Sequence, residues 1–521
     1  MIFSTAFIKP FIPTLVDLAV VIINARYVED VVKECVDADV GSILIITAGF
    51  SEVDNTIGKE KERNIKKIAS EKGIRVLGPN CIGFANVLNN FWGCTISTLG
   101  IDPLNSGNAA LVSQSGAAGF GSLLTSAKDR NIGFKYIVTT GNEADLGVIE
   151  IVDIMLDDED IKSIAMLIEG IKDIDNFIKI IKKAKKKDKS LSVLKIGESE
   201  VGSRAAASHT ASMTGDIEVF NSLIRQYGIL KADDYNELVE LVKMTQMKHQ
   251  LKGKRFAVVS HSGGLSSFSG DQLGKYNLEV PEFRETTKNE INKYLNNFGS
   301  PSNPLDLTAS HMRSEVLFKV IDIVERNEKI DAYLFVTCGS TKQMKNPIKV
   351  AQNLNKPVYF IWSSSFYDEG LSALKDTEIP VSFSISTFAK LAERVYTANN
   401  KKIEEDEYFE KFKDIEFEVS GKYLDENESK MILKNQDIRV PESKVIKDLS
   451  DLKEVKFPNI YVMKILSEKI IHKSDIGGVK LNIKDKNDLY TAFNDLNKVN
   501  DRYKDEINGF YLEEMSKDGL D

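Results

Sequence analysis

Cysteine and histidine are scarce in this chain, and each shortage excludes something. Among 521 residues there are four cysteines and five histidines. Cys35, Cys81, Cys94 and Cys338 form no CxxC pair, and no histidine lies near enough in sequence to complete a zinc site. No metal ligand set is therefore assigned. Cys35 and Cys338 fall inside apolar periodic segments and read as buried structural thiols. This usage suits a reducing cytoplasm. No apolar run approaches the roughly 20 residues of a membrane-spanning helix. The start lacks the basic region and cleavage site of a signal peptide, so a cytoplasmic protein with no membrane partner is expected. Long basic runs are missing too, apart from one lysine-rich stretch between Lys182 and Lys189, and the net charge is -9. A dedicated nucleic-acid binder would show a basic face. A nucleotide ligand is not excluded, because phosphate sites are built from backbone N–H groups and one or two cations.

What is present is ample apolar material, 42% of residues against 28% charged. The length allows about three to five domains. Short β-branched runs alternate with amphipathic stretches over most of the chain. Asp17–Ile23, Ser42–Thr47 and Arg75–Gly78 read as buried strands, with helices over Val28–Asp37 and Lys59–Lys72. The pattern restarts with strands at Asn108–Ser113, Tyr136–Thr140, Ser163–Ile168 and Leu191–Ile196, and a helix from Gly116 to about Arg130. It restarts again at Lys254–Ser260, Ala332–Cys338 and Val358–Trp362. Continuous apolar strands separated by helices indicate parallel sheets covered on both faces. The fold class is α/β, with three consecutive Rossmann- or flavodoxin-like units in series. The charge-rich stretch Asn399–Lys413 reads as a linker, with a solvated helix end as the alternative. Beyond it lie a helix over Leu424–Lys434 and strands at Ile460–Ile465 and Gly509–Leu512.

Two strand-to-glycine turns stand out. VSQSG runs from Val112 to Gly116, and AVVSHSGG from Ala257 to Gly264. Small residues let a backbone approach a ligand closely, and a helix N-terminus attracts an anion. In an open parallel sheet such turns lie at the carboxyl ends of strands, where ligands bind. The plainer alternative is a pair of tight turns with hydroxyl caps. Neither matches GxxxxGK[ST] or GxGxxG. His209 lies in GSRAAASHTASMTG, residues 202 to 215, a small, polar and non-periodic stretch that reads as a loop. Imidazole titrates near neutral pH and attacks phosphorus as the neutral base. A carboxylate would fix its tautomer, and Glu169, ending the strand Ala165–Ile168, is the candidate. The plainer alternative is a surface histidine with no role.

Taken together these motifs resemble the nucleoside-diphosphate-forming (ADP-forming) acyl-CoA synthetases, relatives of succinyl-CoA synthetase, in their fused alpha–beta form. SHT at Ser208–Thr210 is similar to the family's phosphohistidine loop, and IEG at Ile168–Gly170 to the strand end whose glutamate orients it. GPNCIG, Gly78 to Gly83, is similar to the segment beside the CoA and acyl site. NPLDLT, Asn303 to Thr308, resembles another family segment. VMKILS from Val462 and IHKSDIGGVKL from Ile471 resemble the opening of the ATP-grasp subunit. The resemblance implies a ligase of the acetate–CoA (ADP-forming) type. Its catalytic residues would be His209, Glu169 and His472, the last a second phosphohistidine. Phosphate would be bound by Ser113, Gln114, Ser115 and Gly116 with Ser262, Gly263 and Gly264. CoA or the acyl group would meet Gly78, Asn80, Gly141 and Asn142. The nucleotide would meet Lys464, Glu513 and Glu514. The implied ligands are CoA, a CoA thioester, a small-molecule acid, ATP or ADP, and Mg2+.

In domain terms the expectation is a partial CoA-binding unit over 1–100, a succinyl-CoA-synthetase-like unit over 105–250 and a second flavodoxin-like unit over 251–400. A linker at 401–413 and a partial ATP-grasp unit over 414–521 complete it. Two departures from the family pattern are visible. Nothing before Asp17 supplies the glycine-rich turn that opens the family's CoA domain. The ATP-grasp region stops before the second lobe and its acidic magnesium ligands. Both ends are thus expected to be truncated, with a homo-oligomer expected and a partner chain as the source of the missing ATP-grasp lobe. Two rival readings stay open. One is a non-catalytic CoA-binding regulator or fragment of a split enzyme; the other is a protein acyltransferase relative without its acetyltransferase domain.

Overall fold

The computed structural model describes residues 16–95, 105–204, 217–295, 298–364, 369–401, 424–435, 437–456, 458–470, 472–503 and 506–515. The loop carrying His209 and most of the expected linker lie outside them. The chain forms two compact units, Met1–Glu404 and Glu405–Asp521. Among the described residues no helix is long and apolar enough to cross a membrane.

Among its described residues the first unit carries three sheets, two of them parallel throughout and the second parallel except for one edge hairpin, much as the continuous apolar strands predict. The first holds β1 (Leu18–Val21), β2 (Ser42–Ile45) and β3 (Arg75–Leu77), in that order. Successive side chains point to opposite faces. Ile43, Ile45 and Val76 therefore pack under α1 (Val28–Asp37) and α2 (Asn55–Ser70). Leu44 and Leu77, one residue out of phase, join a different core, that of the second sheet.

The second sheet has seven strands. Its hairpin β4 (Gly83–Asn86) and β5 (Phe91–Cys94) is antiparallel and adds to one edge. The rest is parallel: β6 (Ala109–Ser113), β7 (Phe134–Thr139), β8 (Ser163–Ile168), β9 (Ser190–Lys195) and β10 (Leu230–Ala232). The order is β10-β9-β8-β6-β7-β4-β5. The chain leaves β6 to one side for β7 and then returns to its other side for β8. That reversal opens a crevice outside the carboxyl ends of these strands. After β6 comes the helix expected from Gly116 to about Arg130. It includes a π-helical stretch, Ala118–Leu123, running into α3 (Leu124–Asp129). There Gly119 lies so close to Ser113 that a Cβ would sit 2.8 Å from the serine Cβ.

The third sheet repeats the device with β11 (Phe256–Ser260), β12 (Leu305–Asp306), β13 (Ala332–Thr337), β14 (Val358–Trp362) and β15 (Val381–Ser382), ordered β12-β11-β13-β14-β15. Its reversal falls at β11. The second and third sheets share one core. Leu111, Ile137 and Leu167 belong to the same cluster as Phe256, Val258 and Leu334, joined by the helices Tyr235–Thr245 and Ile385–Asn400.

The second unit is different in kind. Its sheet is antiparallel, with β16 (Ser443–Ile446), β17 (Tyr461–Leu466), β18 (Val479–Ile483) and β19 (Gly509–Glu514) in the order β16-β19-β17-β18. The helix Lys486–Arg502 covers one face through Leu489, Phe493 and Leu496.

Candidate functional site

The crevice at β6 is organised by one amide. Gln114 follows β6 directly and is 8% exposed. Its Oε1 accepts from the backbone N–H of Glu169, 2.5 Å, and of Gly170, 3.0 Å. Its Nε2 donates to the Gly170 carbonyl, 2.8 Å, and to Glu143 Oε1, 3.1 Å. All three strand ends flanking the switch point are therefore tied to one side chain: β6 through Gln114, β7 through Glu143 and β8 through Glu169. An amide can do this because it presents donors and acceptor in one plane. Glu143 is held in turn by the Thr140 hydroxyl, 3.0 Å, and the Val148 N–H, 2.9 Å. Beside it Ser113 Oγ donates to the Ser115 carbonyl, 2.6 Å, and the helix starts at Gly116. Gly116 has no room for a side chain, since a Cβ would lie 2.5 Å from Ile82 Cγ1.

Glu169 is 8% exposed. Lys195, at the end of β9, reaches across to its backbone carbonyl. Nothing in the run SLSVLK (residues 190 to 195) marked this lysine as more than a strand end. A buried cation at the carboxyl end of a parallel strand is the signal that would have found it.

GPNCIG and Gly141–Asn142 come together. Asn80 takes a left-handed conformation, φ 58°, and its Nδ2 donates to Asn142 Oδ1 at 3.0 Å. Asn142 Nδ2 donates to Glu52 Oε2, 2.6 Å, and Glu62 Oε1, 2.8 Å. The Asn142 N–H reaches the Pro79 carbonyl, 2.9 Å. Gly141 is required here, because at φ 59° a Cβ would stand 2.3 Å from the Pro79 oxygen. Burial pushes the Cys81 thiol up to about 12. Cys81 is thus a packed, inert group rather than a nucleophile.

In the third sheet, β11 runs through His261 into the helix Gly263–Lys275. Ser260 Oγ accepts from the Ser262 N–H at 3.2 Å. Gly263 lies against Asp306 at the end of β12, where a Cβ would be 3.3 Å from Oδ2. Asn303 of NPLDLT is structural: its side chain bonds the main chain of Phe256, Val258 and Pro281. Cys338, expected to be buried, is half-buried because it lies just past the end of β13.

In the second unit Lys464 donates to Glu426 Oε1, 2.7 Å, and pairs with Glu513. Lys430 also pairs with Glu513, and Lys473 donates to Glu426 Oε2, 2.8 Å. Burial alone would push the Glu426 carboxyl up, but the Lys464 and Lys473 ammoniums outweigh it and hold it below the usual range. Lys430, Lys473 and Glu426 were not singled out from the sequence. His472 is exposed and precedes the short helix Lys473–Ile476, which ends at Gly477 with φ 75°. Glu514 lies at the end of β19, where its N–H reaches the Glu442 carbonyl, 2.9 Å.

Comparison with known proteins bears on this arrangement. Residues 5–87 match a CoA binding domain, 106–245 a succinyl-CoA ligase like flavodoxin domain and 418–521 an ATP-grasp domain. The alpha subunit of acetate–CoA ligase [ADP-forming] II from Pyrococcus furiosus is 32% identical over 69% of this chain and 78% of its own length. The 4-hydroxybutyrate–CoA ligase [ADP-forming] of Nitrosopumilus maritimus is 30% identical over 98% of this chain and 75% of its own. The chain belongs to the ADP-forming acyl-CoA ligases. It is an acid–thiol ligase of that family, with the α/β and ATP-grasp architecture the motifs imply. A solved structure agrees. The dinucleotide forming acetyl-coenzyme A synthetase 1 of Ca. Korarchaeum cryptofilum, in complex with phosphate and ADP, superposes with a TM-score of 0.66. It is 27% identical and covers 75% of this chain and 84% of its own.

Proposed function

We propose that this ligase interconverts an acyl-CoA, ADP and inorganic phosphate with the free acid, CoA and ATP, by way of an acyl phosphate and a phosphohistidine. The observation that carries this reading is the junction of three strand ends on Gln114. It sets Glu169 at the switch-point crevice beside the helix start at Gly116. In the thioester-consuming direction a phosphate oxygen attacks the acyl carbonyl, and the CoA thiolate leaves. His209 then attacks phosphorus; the N–P bond forms as the P–O bond to the acyl group breaks, and the carboxylate leaves with the electron pair. Glu169 holds the far ring nitrogen, fixing the tautomer and offsetting the charge that develops on the ring. The turns at Ser113–Gly116 and Ser262–Gly264 offer helix N-termini to the phosphoryl oxygens.

His472 relays the phosphoryl group toward the nucleotide, whose phosphates meet Lys464 next to Glu513, and Glu514 is assigned to the same ligand. CoA and the acyl group are assigned to Gly78, Asn80, Gly141 and Asn142. Among the described residues no cluster of His, Cys, Asp or Glu could hold a metal ion. Mg2+ would be carried by the nucleotide phosphates, where it neutralises charge. One relative is an alpha subunit, so an oligomer or a partner chain is part of this reading, as is a cytoplasmic location.

The test is a half-reaction. Labelled acetyl phosphate should give an acid-labile, base-stable phosphoprotein. His209→Ala should remove the label and His472→Ala should leave it. No label with any acyl phosphate would instead favour a non-catalytic CoA-binding regulator. A label that survives His209→Ala and vanishes in His472→Ala would reverse the order of the relay.

A further inference from the structure

Lys195 ends β9, opposite Ile168 in register, so it stands beside the first residue after β8, Glu169. It is 6% exposed. Its Nζ donates to the Glu169 carbonyl, 2.7 Å, and to the Ile196 carbonyl, 2.6 Å. Among the described residues no carboxylate forms an ion pair with it. Burial lowers its pKa, while Glu198 and Glu169 at longer range pull it back up. A buried cation whose hydrogen bonds go to main-chain carbonyls is costly to keep. A methionine would fill the same volume without the charge. The neighbouring positions show how this strand is otherwise built, since Leu191, Val193 and Leu194 are apolar and buried.

Position supplies the reason. The two carbonyls belong to the peptides that leave β8 and β9, at the same end of the sheet as Gln114. Gln114 fixes the N–H groups of Glu169 and Gly170, and Lys195 fixes the carbonyl of Glu169. The Glu169 main chain is thus gripped from both neighbouring strands. The direction in which its side chain leaves the strand end is thereby fixed at the backbone.

We infer that Lys195 is a positioning residue for phosphoryl transfer, clamping the Glu169 strand end so that its carboxylate meets the histidine ring in one orientation. This inference rests on the phosphohistidine reading. It adds that the grip on Glu169 is cationic and comes from β9. An orienting group of this kind acts on the rate of the step rather than on the capture of the phosphoryl donor. Removing it should cost about 10- to 100-fold, the usual range for a residue that orients another.

The experiment measures His209 labelling by acetyl phosphate at several concentrations in the full chain. It compares wild type, Lys195→Met, Lys195→Arg, Glu169→Gln and the double variant Lys195→Met/Glu169→Gln. Lys195→Met should lower the maximal labelling rate by about 10- to 100-fold and leave the half-saturating acetyl phosphate concentration unchanged. Lys195→Arg, which keeps the charge and the donors, should recover part of the rate. The double variant should be no slower than the slower single variant, because both residues act through one unit. Full-rate labelling in Lys195→Met, or single effects that multiply in the double variant, would overturn the clamp while leaving the phosphohistidine reading intact. An unlabelled wild type would overturn both. Should Lys195→Met fail to fold, Lys195→Arg decides alone: a lowered maximal rate at unchanged half-saturation supports the clamp, and a raised half-saturating concentration at unchanged maximal rate overturns it.

Discussion

Lys464 and Glu513 sit on adjacent antiparallel strands, β17 and β19, two residues out of register, and their side chains meet in an ion pair. Glu513 is shared with Lys430, and Lys464 is shared with Glu426, which also holds Lys473. Three ammoniums thus surround two carboxylates and leave one positive charge over. That surplus suits an incoming phosphate. Lys464→Met should weaken ADP binding to the full chain about tenfold, equivalent to ~1.4 kcal/mol, as read by calorimetry. Lys464→Arg, which keeps the charge, should weaken it less.

Glu240 gives a pH-dependent prediction. Burial pushes its carboxyl up to about 7, against the Ser382 hydroxyl, 2.8 Å away, and the Arg130 guanidinium, 3.7 Å away, which pull it down; Glu237 and Asp234 raise it further. The folded value lies above the unfolded one, so the folded state holds this proton more tightly. The stability it contributes is complete below about 4.5 and is lost as pH rises through about 7. Glu240→Gln removes that titration. Its melting temperature should exceed that of wild type at pH 8 and gain nothing at pH 4.5.

Gly141→Ala should disrupt the asparagine pair at the proposed CoA site. The new methyl would meet the Pro79 and Asn80 oxygens at 2.3 and 2.5 Å from a left-handed backbone. Strain of this kind costs about 1–3 kcal/mol. The expected outcome is a lower urea midpoint together with weaker CoA binding. The control Gly73→Ala also has a positive φ, 71°, but its methyl would meet nothing within 4 Å. It should lower the midpoint less and leave CoA binding as it was.

Glu169→Gln should slow the labelling of His209 by about 10²-fold with little change in urea midpoint. The main-chain grip of Gln114 and Lys195 on this residue does not depend on the carboxylate. Equal losses of rate and stability would point to a packing role.

The sheets were legible because parallel strands covered on both faces carry unbroken apolar runs, and Ser163–Ile168 and Val358–Trp362 are strands over those residues. The π-helical opening of the helix after β6 left no mark in the sequence, since Gly119 reads the same whether it relieves crowding or merely weakens a helix. Asn142 could be flagged only through family resemblance, for its partners Glu52 and Glu62 lie 90 and 80 residues away. Lys195 was hidden for a related reason. A lysine at a strand end normally reads as a solvated terminus, and only the fold reveals that it is covered.

The common core under the second and third sheets has a mechanical consequence. A hinge between them would have to expose Leu111, Leu167, Val258 and Leu334 at once, since these fully enclosed side chains belong to one cluster. The two glycine turns at the carboxyl ends of β6 and β11 therefore behave as fixed masonry. On the proposed relay they form a stationary berth, and the phosphoryl group is what travels.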